Sequence, residues 1–185
     1  MTALARVENA EVGIDDLAET ADSHQYLTFM LRGETHALGI MHIKEIIGYG
    51  SLTPVPMMPG YISGVINLRG AVVPVIDLGH RFDFPPCDIS RRTCIVILEL
   101  TGDSEAMQTV GVIVDAVNEV VEMPLSDIAA PPDFGASIHS DFIEGMCRRE
   151  EGFIILLDVG SIVSPRDARL LEQAEALSGG GGTDE

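Results

Sequence analysis

Two segments of this 185-residue chain carry the same landmarks in the same order, and this repetition limits the possible folds more than any other feature. The sequence Tyr61-Ile-Ser-Gly64 precedes Asp77, and Phe142-Ile-Glu-Gly145 precedes Asp158 at the same separation. An Arg-containing turn lies between the two landmarks in each segment. Matching landmarks at matching separations indicate an internal duplication.

A second landmark lies upstream in each segment. It is an apolar run containing Gly, followed by Glu and two branched apolar residues. Its copies are residues 37–40 with 44–47, and residues 109–112 with 118–121. Two landmarks in the same order are harder to attribute to chance than one, so we predict two related halves.

Short runs of alternating or branched apolar residues, separated by Gly and Pro, are typical of β-strands. The predicted strands are 25–32, 37–42, 43–49, 65–69 and 72–76 in the first half, and 93–100, 108–114, 116–123, 145–149 and 153–158 in the second. Each half, about 25–86 and 93–163, is too small to bury enough surface alone. We therefore expect an all-β protein in which two five-stranded sheets, each closed into a barrel, pack together.

The two ends of the chain depart from this pattern. Residues 1–24 are acidic and predict a disordered extension. A capping sequence at Ser164-Pro165 followed by spaced leucines predicts a short C-terminal helix over 164–178. The Gly-rich residues 179–185 have too little apolar surface to order themselves.

Composition and charge exclude several functional classes. The net charge of −18 disfavours binding to nucleic acid, because such binding needs clustered Lys and Arg. The longest apolar runs have the length of a strand, and the acidic N-terminus does not resemble a secretory signal. We expect a soluble cytoplasmic protein without membrane insertion. The three cysteines are too widely spaced to predict a disulfide framework or a zinc site.

The sequence offers little support for chemistry. Gly48-Tyr-Gly50 half resembles a dinucleotide fingerprint, but Pro54 and Pro56 prevent the helix that would hold a pyrophosphate. The five histidines form no close ligand pair, and Cys94 heads an apolar run in which a thiol acts as a small hydrophobic group. We expect no cofactor, no metal and no enzymatic activity.

Two charged residues stand out from this apolar background. Glu45 lies in a predicted strand, and Arg69 precedes Gly70 at a predicted turn. Arginine presents a planar fork that grips a carboxylate through two hydrogen bonds. We predict that Arg69 pairs with Glu45, although two separately solvated charges would give the same pattern.

At these residues the chain resembles the CheW-like adaptors of bacterial chemotaxis. The resemblance is most specific in Gly64-Val-Ile-Asn-Leu-Arg-Gly-Ala-Val-Val-Pro-Val-Ile-Asp-Leu78. It extends to Leu38-Gly-Ile40, to residues 43–46 and 110–121, to Pro131-Pro-Asp-Phe134 and to 153–158, and so covers about residues 25–164.

The resemblance implies a fold of two SH3-like five-stranded barrels with an apolar groove between them. It also implies a non-catalytic adaptor that binds the regulatory domain of the histidine kinase CheA and the cytoplasmic hairpin tip of a chemoreceptor, in receptor arrays at the membrane. The receptor-binding groove would consist of Ile43, Glu45, Ile46, Arg69, Val72, Cys94, Val117 and Val120. Phe134 would be the kinase-binding anchor.

Two alternatives stay open. Within the same class, the chain could serve a non-flagellar chemosensory array that controls pili, gliding or development. In another class, it could be a small-ligand-binding or hydrolytic β-barrel protein, which would require converging polar groups in its groove. Ordinary barrel core is the competing explanation for each apolar groove residue.

Overall fold

The computed structural model describes residues 23–85, 88–101, 107–130, 140–149 and 152–163, together with Arg169 and Gln173. The predicted acidic extension therefore lies outside the described residues, except for Ser23 and His24, which begin the first strand. The predicted tail over 179–185 and most of the predicted helix over 164–178 also lie outside them.

The described chain is mostly β, as predicted. The strands are β1 (Ser23–Leu31), β2 (Glu34–Gly39), β3 (Ile43–Gly48), β4 (Ile62–Leu68), β5 (Ala71–Asp77), β6 (Cys94–Thr101), β7 (Met107–Val114), β8 (Ala116–Pro124), β9 (Ile128–Ala129), β10 (Ile143–Arg149) and β11 (Gly152–Leu157). Short helices cover Leu78–Arg81 and Val159–Ile162, and single 3-10 turns cover Ile40–His42, Leu125–Asp127 and Ser140–Phe142. Each predicted strand overlaps one of these strands, and β9 is additional.

The strands form a six-stranded sheet in the order β8-β1-β2-β11-β10-β9 and a five-stranded sheet in the order β3-β6-β7-β5-β4. The predicted boundary between 25–86 and 93–163 falls between β5 and β6, which belong to the same sheet. Each sheet combines the first two strands of one half with the later strands of the other half. The two halves are thus interleaved by strand exchange.

The sheets are also not closed barrels, because no described strand pairing joins their two edges. The chain itself connects the two edges of each sheet instead. Strand β8 runs through the turn Leu125–Asp127 into β9, so both edges of the six-stranded sheet come from one continuous stretch. The chain after β3 likewise crosses to β4, where Thr53 and Val65 exchange two backbone hydrogen bonds of 2.9 Å.

Three apolar clusters lie on the faces of these curled sheets. Each sheet encloses a small cluster of its own, built around Met123 and Leu156 in the six-stranded sheet and around Ile95 and Ile97 in the five-stranded sheet. A larger central cluster takes buried side chains from both sheets. Its strand members are Leu27, Phe29, Leu31, Leu38, Ile62, Ile76, Val96, Leu98, Val110, Val112, Val114, Ile143, Ile155 and Leu157.

The landmarks that revealed the duplication have equivalent structural roles. The Asp77 amide donates to the Tyr61 carbonyl at 2.8 Å, and the Asp158 amide donates to the Phe142 carbonyl at the same distance. Each aspartate then caps the short helix that follows it. The Arg81 guanidinium lies over both landmark rings, 4.9 Å from the Tyr61 centroid and 4.7 Å from that of Phe142.

Strand pairing also corrects the register of the upstream landmark. Leu156 and Val75 each lie two residues before the landmark aspartate, and they pair with Ala37 and Gly111, respectively. Gly111 therefore corresponds to Ala37, and the two glycines that made the sequences look alike, Gly39 and Gly111, are not equivalent. The other part of the predicted match is correct. Residues 44–47 and 118–121 are separated by the same number of positions as Ala37 and Gly111.

Gly64 supplies the sharpest test of this architecture. Its φ is +151°, and a Cβ built on it would lie 2.5 Å from the Thr53 carbonyl oxygen that pairs with β4. We expect Gly64→Ala to lower the free energy of unfolding by about 2–4 kcal/mol, because both the backbone and the bridge must shift. Urea unfolding measures this. The control Gly48→Ala, which meets no atom within 4 Å, should change stability by less than about 1 kcal/mol, and equal effects would contradict the assignment.

Candidate protein-docking site

Strands β3 and β8 occupy equivalent edges of the two sheets and expose equivalent apolar residues. Under the corrected register, Ile43 and Ile46 of β3 correspond to Val117 and Val120 of β8. All four side chains are half-buried and pack against the central cluster. The central cluster therefore reaches the protein surface along these two edge strands, at four of the residues predicted to form the groove.

Cys94 lies on the same surface. It begins β6 in the five-stranded sheet, packs against the central cluster, and its thiol donates to the Arg92 carbonyl oxygen at 3.3 Å. Burial raises the pKa of the Cys94 thiol, and the backbone of Val117 partly offsets this effect. A half-buried thiol with a raised pKa acts as an apolar surface element rather than as a nucleophile.

The predicted pair of Glu45 and Arg69 is confirmed at the rim of this surface. Arg69 Nη1 donates to Glu45 Oε2 at 2.6 Å, and Nη2 donates to Oε1 at 3.0 Å. Arg69 and Gly70 both have positive φ in the tight turn between β4 and β5, which is the conformation that a two-residue hairpin turn requires. The turn thus points the guanidinium from one edge of the five-stranded sheet toward the carboxylate on β3 at the other edge.

This pair has an electrostatic signature. The Arg69 hydrogen bonds lower the pKa of the Glu45 carboxyl below its ordinary value, with a smaller opposing effect of burial. Glu45 is 20% exposed, whereas Arg69 is 72% exposed. Arg69 consequently presents a fixed, solvent-facing cation at the rim of this apolar surface.

Two predicted site residues remain. Val72 is half-buried on β5, where it pairs with Asn67 two residues from the Arg69 turn. Phe134 lies outside the described residues. We refer below to Ile43, Ile46, Cys94, Val117 and Val120 as the apolar strip.

Sequence reasoning missed a second paired arginine, Arg32. Unlike Arg69, it connects the two sheets. Arg32 lies in the β1–β2 turn and contacts Asp115 twice, through its backbone amide and through Nη1, both at 2.6 Å. Its Nη2 donates to the Pro85 carbonyl at 2.6 Å and lies 3.5 Å from Asp77. The signal was present in the sequence, because Arg32-Gly33 repeats the Arg69-Gly70 turn.

The described residues offer no constellation for metal chemistry. Within those ranges, no group of three or more His, Cys, Asp or Glu side chains is placed to hold a metal ion. The same ranges contain no helix with the length and hydrophobicity required to span a bilayer. What the site provides is an apolar surface with a fixed charged rim, which is suited to binding another protein.

Comparisons with known proteins agree with this class of site. The CheW-like domain family matches residues 25–166. Chemotaxis protein CheW of Bacillus subtilis is 33% identical over 153 residues, which cover 82% of this chain and 94% of the relative. Protein FrzA of Myxococcus xanthus is 35% identical over 91 residues, which cover 49% of this chain and 54% of FrzA.

A solved structure shows the same fold. The crystal structure of the scaffolding protein TtCheW from Thermoanaerobacter tengcongensis superimposes with a TM-score of 0.71 at 32% identity, covering 80% of this chain and 93% of the other. The two-sheet fold with an exposed apolar strip is thus that of a scaffolding protein. The chain belongs to the CheW-like domain family.

A double-mutant cycle tests the coupling of Glu45 to Arg69. We expect the effects of Glu45→Gln and Arg69→Gln on unfolding free energy to be non-additive. The coupling should be fully present above the ordinary Glu pKa of about 4.5, and it should be lost as the pH falls through the lowered pKa of Glu45. The single contact of 3.4 Å between Lys44 and Glu99 provides a control pair with weaker expected coupling. Additivity at neutral pH would refute the pairing.

Proposed function

We propose that this protein is a non-catalytic adaptor that links chemoreceptors to a CheA-type histidine kinase in chemotaxis. The observation that carries the proposal is the apolar strip, in which equivalent residues of both halves expose the central cluster at one surface. Membership of the CheW-like domain family and the fold shared with a scaffolding protein support it.

The strip suits the helical hairpin tip of a receptor. An amphipathic helix docks by laying apolar anchors along a groove, and half-buried aliphatic residues supply such a surface without leaving the core incomplete. Arg69, held by Glu45, places a preorganised cation at the rim. Because both partners of that pair are already oriented, ordering them costs little on binding.

The kinase-binding surface is proposed from the family resemblance at Phe134. Aromatic side chains are enriched among the residues that dominate binding energy at interfaces. Separate surfaces for receptor and kinase would let one adaptor hold both at once. In an array, weak individual contacts then act at high effective concentration, so we propose a cytoplasmic location at receptor arrays.

A second candidate is an adaptor of a non-flagellar chemosensory array. The 35% identity to FrzA favours it, although that match spans about half of each chain. Both candidates use the same apolar strip and the same type of kinase. They differ only in the output that the array controls.

Receptor binding is tested at the centre of the strip. Ile46→Thr keeps a β-branched residue on β3 but removes apolar contact area, so we expect it to weaken binding of a receptor cytoplasmic fragment by about fivefold or more. Calorimetric titration measures this. Ile89→Thr makes the same chemical change at a 51% exposed position outside the strip and should leave affinity unchanged. Equal affinities for Ile46→Thr and the unmodified protein would place the receptor elsewhere.

Kinase binding is tested with a pair of phenylalanines. We expect Phe134→Ala to weaken binding of the isolated CheA regulatory domain by about tenfold and to leave receptor binding unchanged, because Phe134 is not one of the residues proposed to bind the receptor. Phe153→Ala, at a 59% exposed phenylalanine on β11, is the matched control and should bind the kinase domain normally. Absence of any saturable binding to the kinase domain by the unmodified protein would refute the adaptor function itself.

A further inference from the structure

A cavity of about 380 Å³ opens at one end of the six-stranded sheet, next to the start of β3. It lies between the starts of β1 and β10 and the ends of β2 and β11. Its lining includes His24, Gln25, Met41, His42, Glu144 and Asp158. The function proposed above makes no use of this cavity.

The lining combines apolar and acidic surfaces. Ile40, Leu157 and Val159 are buried side chains that contribute the apolar part of its wall. Glu144 and Asp158 contribute two carboxylates. The Gln25 side-chain oxygen, which belongs to the same lining, is buried and accepts no hydrogen bond within the described structure. The cavity therefore offers hydrogen-bond acceptors around an apolar wall.

The internal duplication indicates what such a site accepts. Asp158 corresponds to Asp77, and the corrected register makes Met41 the counterpart of Asp115. At the end of the five-stranded sheet, Asp77 and Asp115 hold the guanidinium of Arg32, with Nη2 at 3.5 Å from Asp77 and Nη1 at 2.6 Å from Asp115. The equivalent end of the five-stranded sheet is thus occupied by a cation from the protein itself.

No such cation fills the cavity among the described residues. A Cβ added to Gly79 would lie 2.6 Å from Arg32 Nη2, whereas at the corresponding Gly160 the nearest atom would be an oxygen of Asp158 at 3.4 Å. The acidic residue Glu144 also replaces Ser63 of the first half. Compared with the five-stranded sheet, this end of the six-stranded sheet therefore keeps one carboxylate in Asp158, has Met41 in place of Asp115 and carries an additional carboxylate in Glu144.

The charges in the cavity are poorly balanced. Burial and the nearby Asp158 raise the pKa of the Glu144 carboxyl, while His42 and His24 act in the opposite direction. Asp158 is already engaged as a helix cap with Gly160 and Ser161. A cation entering the cavity would relieve the repulsion between the two carboxylates.

We propose that this cavity accepts an arginine or lysine side chain of a partner protein. The aliphatic stem of such a side chain packs against Ile40 and Leu157, and its charged end reaches Glu144 and Asp158. The net charge of −18 attracts basic partners at long range. His24, Met41, His42 and Glu144 are exposed, so the cavity is open to a side chain attached to another chain.

The test uses the full chain and a capped tripeptide, acetyl-Gly-Arg-Gly-amide, followed by amide chemical shifts in NMR. We expect saturable shifts at Met41, His42 and Glu144. The isosteric citrulline tripeptide, which lacks the charge, should cause none. Glu144→Gln should weaken binding of the arginine peptide by about threefold to tenfold.

Asp83→Asn is the matched control, because it removes one negative charge at an exposed, positive-φ turn in which Asn is equally tolerated. It should leave the peptide affinity unchanged. Equal binding of the citrulline peptide, or equal weakening by both variants, would overturn the proposal. A response to propylguanidinium with none to the tripeptide would also overturn it, because the cavity would then serve a free cation.

Discussion

The central apolar cluster is the constraint on which the rest of this structure depends. Each sheet encloses only a small cluster of its own, whereas the central cluster takes buried residues from both. Neither sheet can therefore bury the side chains that it contributes to the central cluster without the other sheet. Because β3 and β8 are edge strands, this shared cluster continues to the surface there as half-buried Ile46 and Val120. The docking surface is an extension of the core.

Strand exchange ties that surface to both sheets. Each half contributes strands to both sheets, so β3 continues from β2 of the other sheet through the turn Ile40–His42, and β8 continues from β7 of the other sheet. Polar contacts reinforce the same junction, with Arg32 tying the β1–β2 turn to Asp77 and Asp115. A scaffold acts by holding partners in fixed geometry, and a framework built from both halves suits that role.

The duplication has also diverged in an informative way. The equivalent pairs on β3 and β8 remain aliphatic, because both must cover the central cluster. The charged positions differ between the sheets. Arg32 contacts Asp77 and Asp115 at the end of the five-stranded sheet, whereas Glu144 and Asp158 line an open cavity at the equivalent end of the six-stranded sheet. Differences between repeats thus locate sites that neither repeat reveals alone.

The sequence by itself determined the strands and the duplication, whereas the predicted pairing of Glu45 with Arg69 needed the structure to decide it. Alternating apolar residues, Gly-containing turns and repeated landmarks are local signals that survive without tertiary information. Only the tertiary structure decided which strands share a sheet, because the exchange of β1–β2 with β6–β7 depends on pairing between residues far apart in the chain. It also decided that Gly111 matches Ala37, and that Arg32 lies against Asp115. Those contacts arise from strand register and packing, which residue patterns along one chain do not encode.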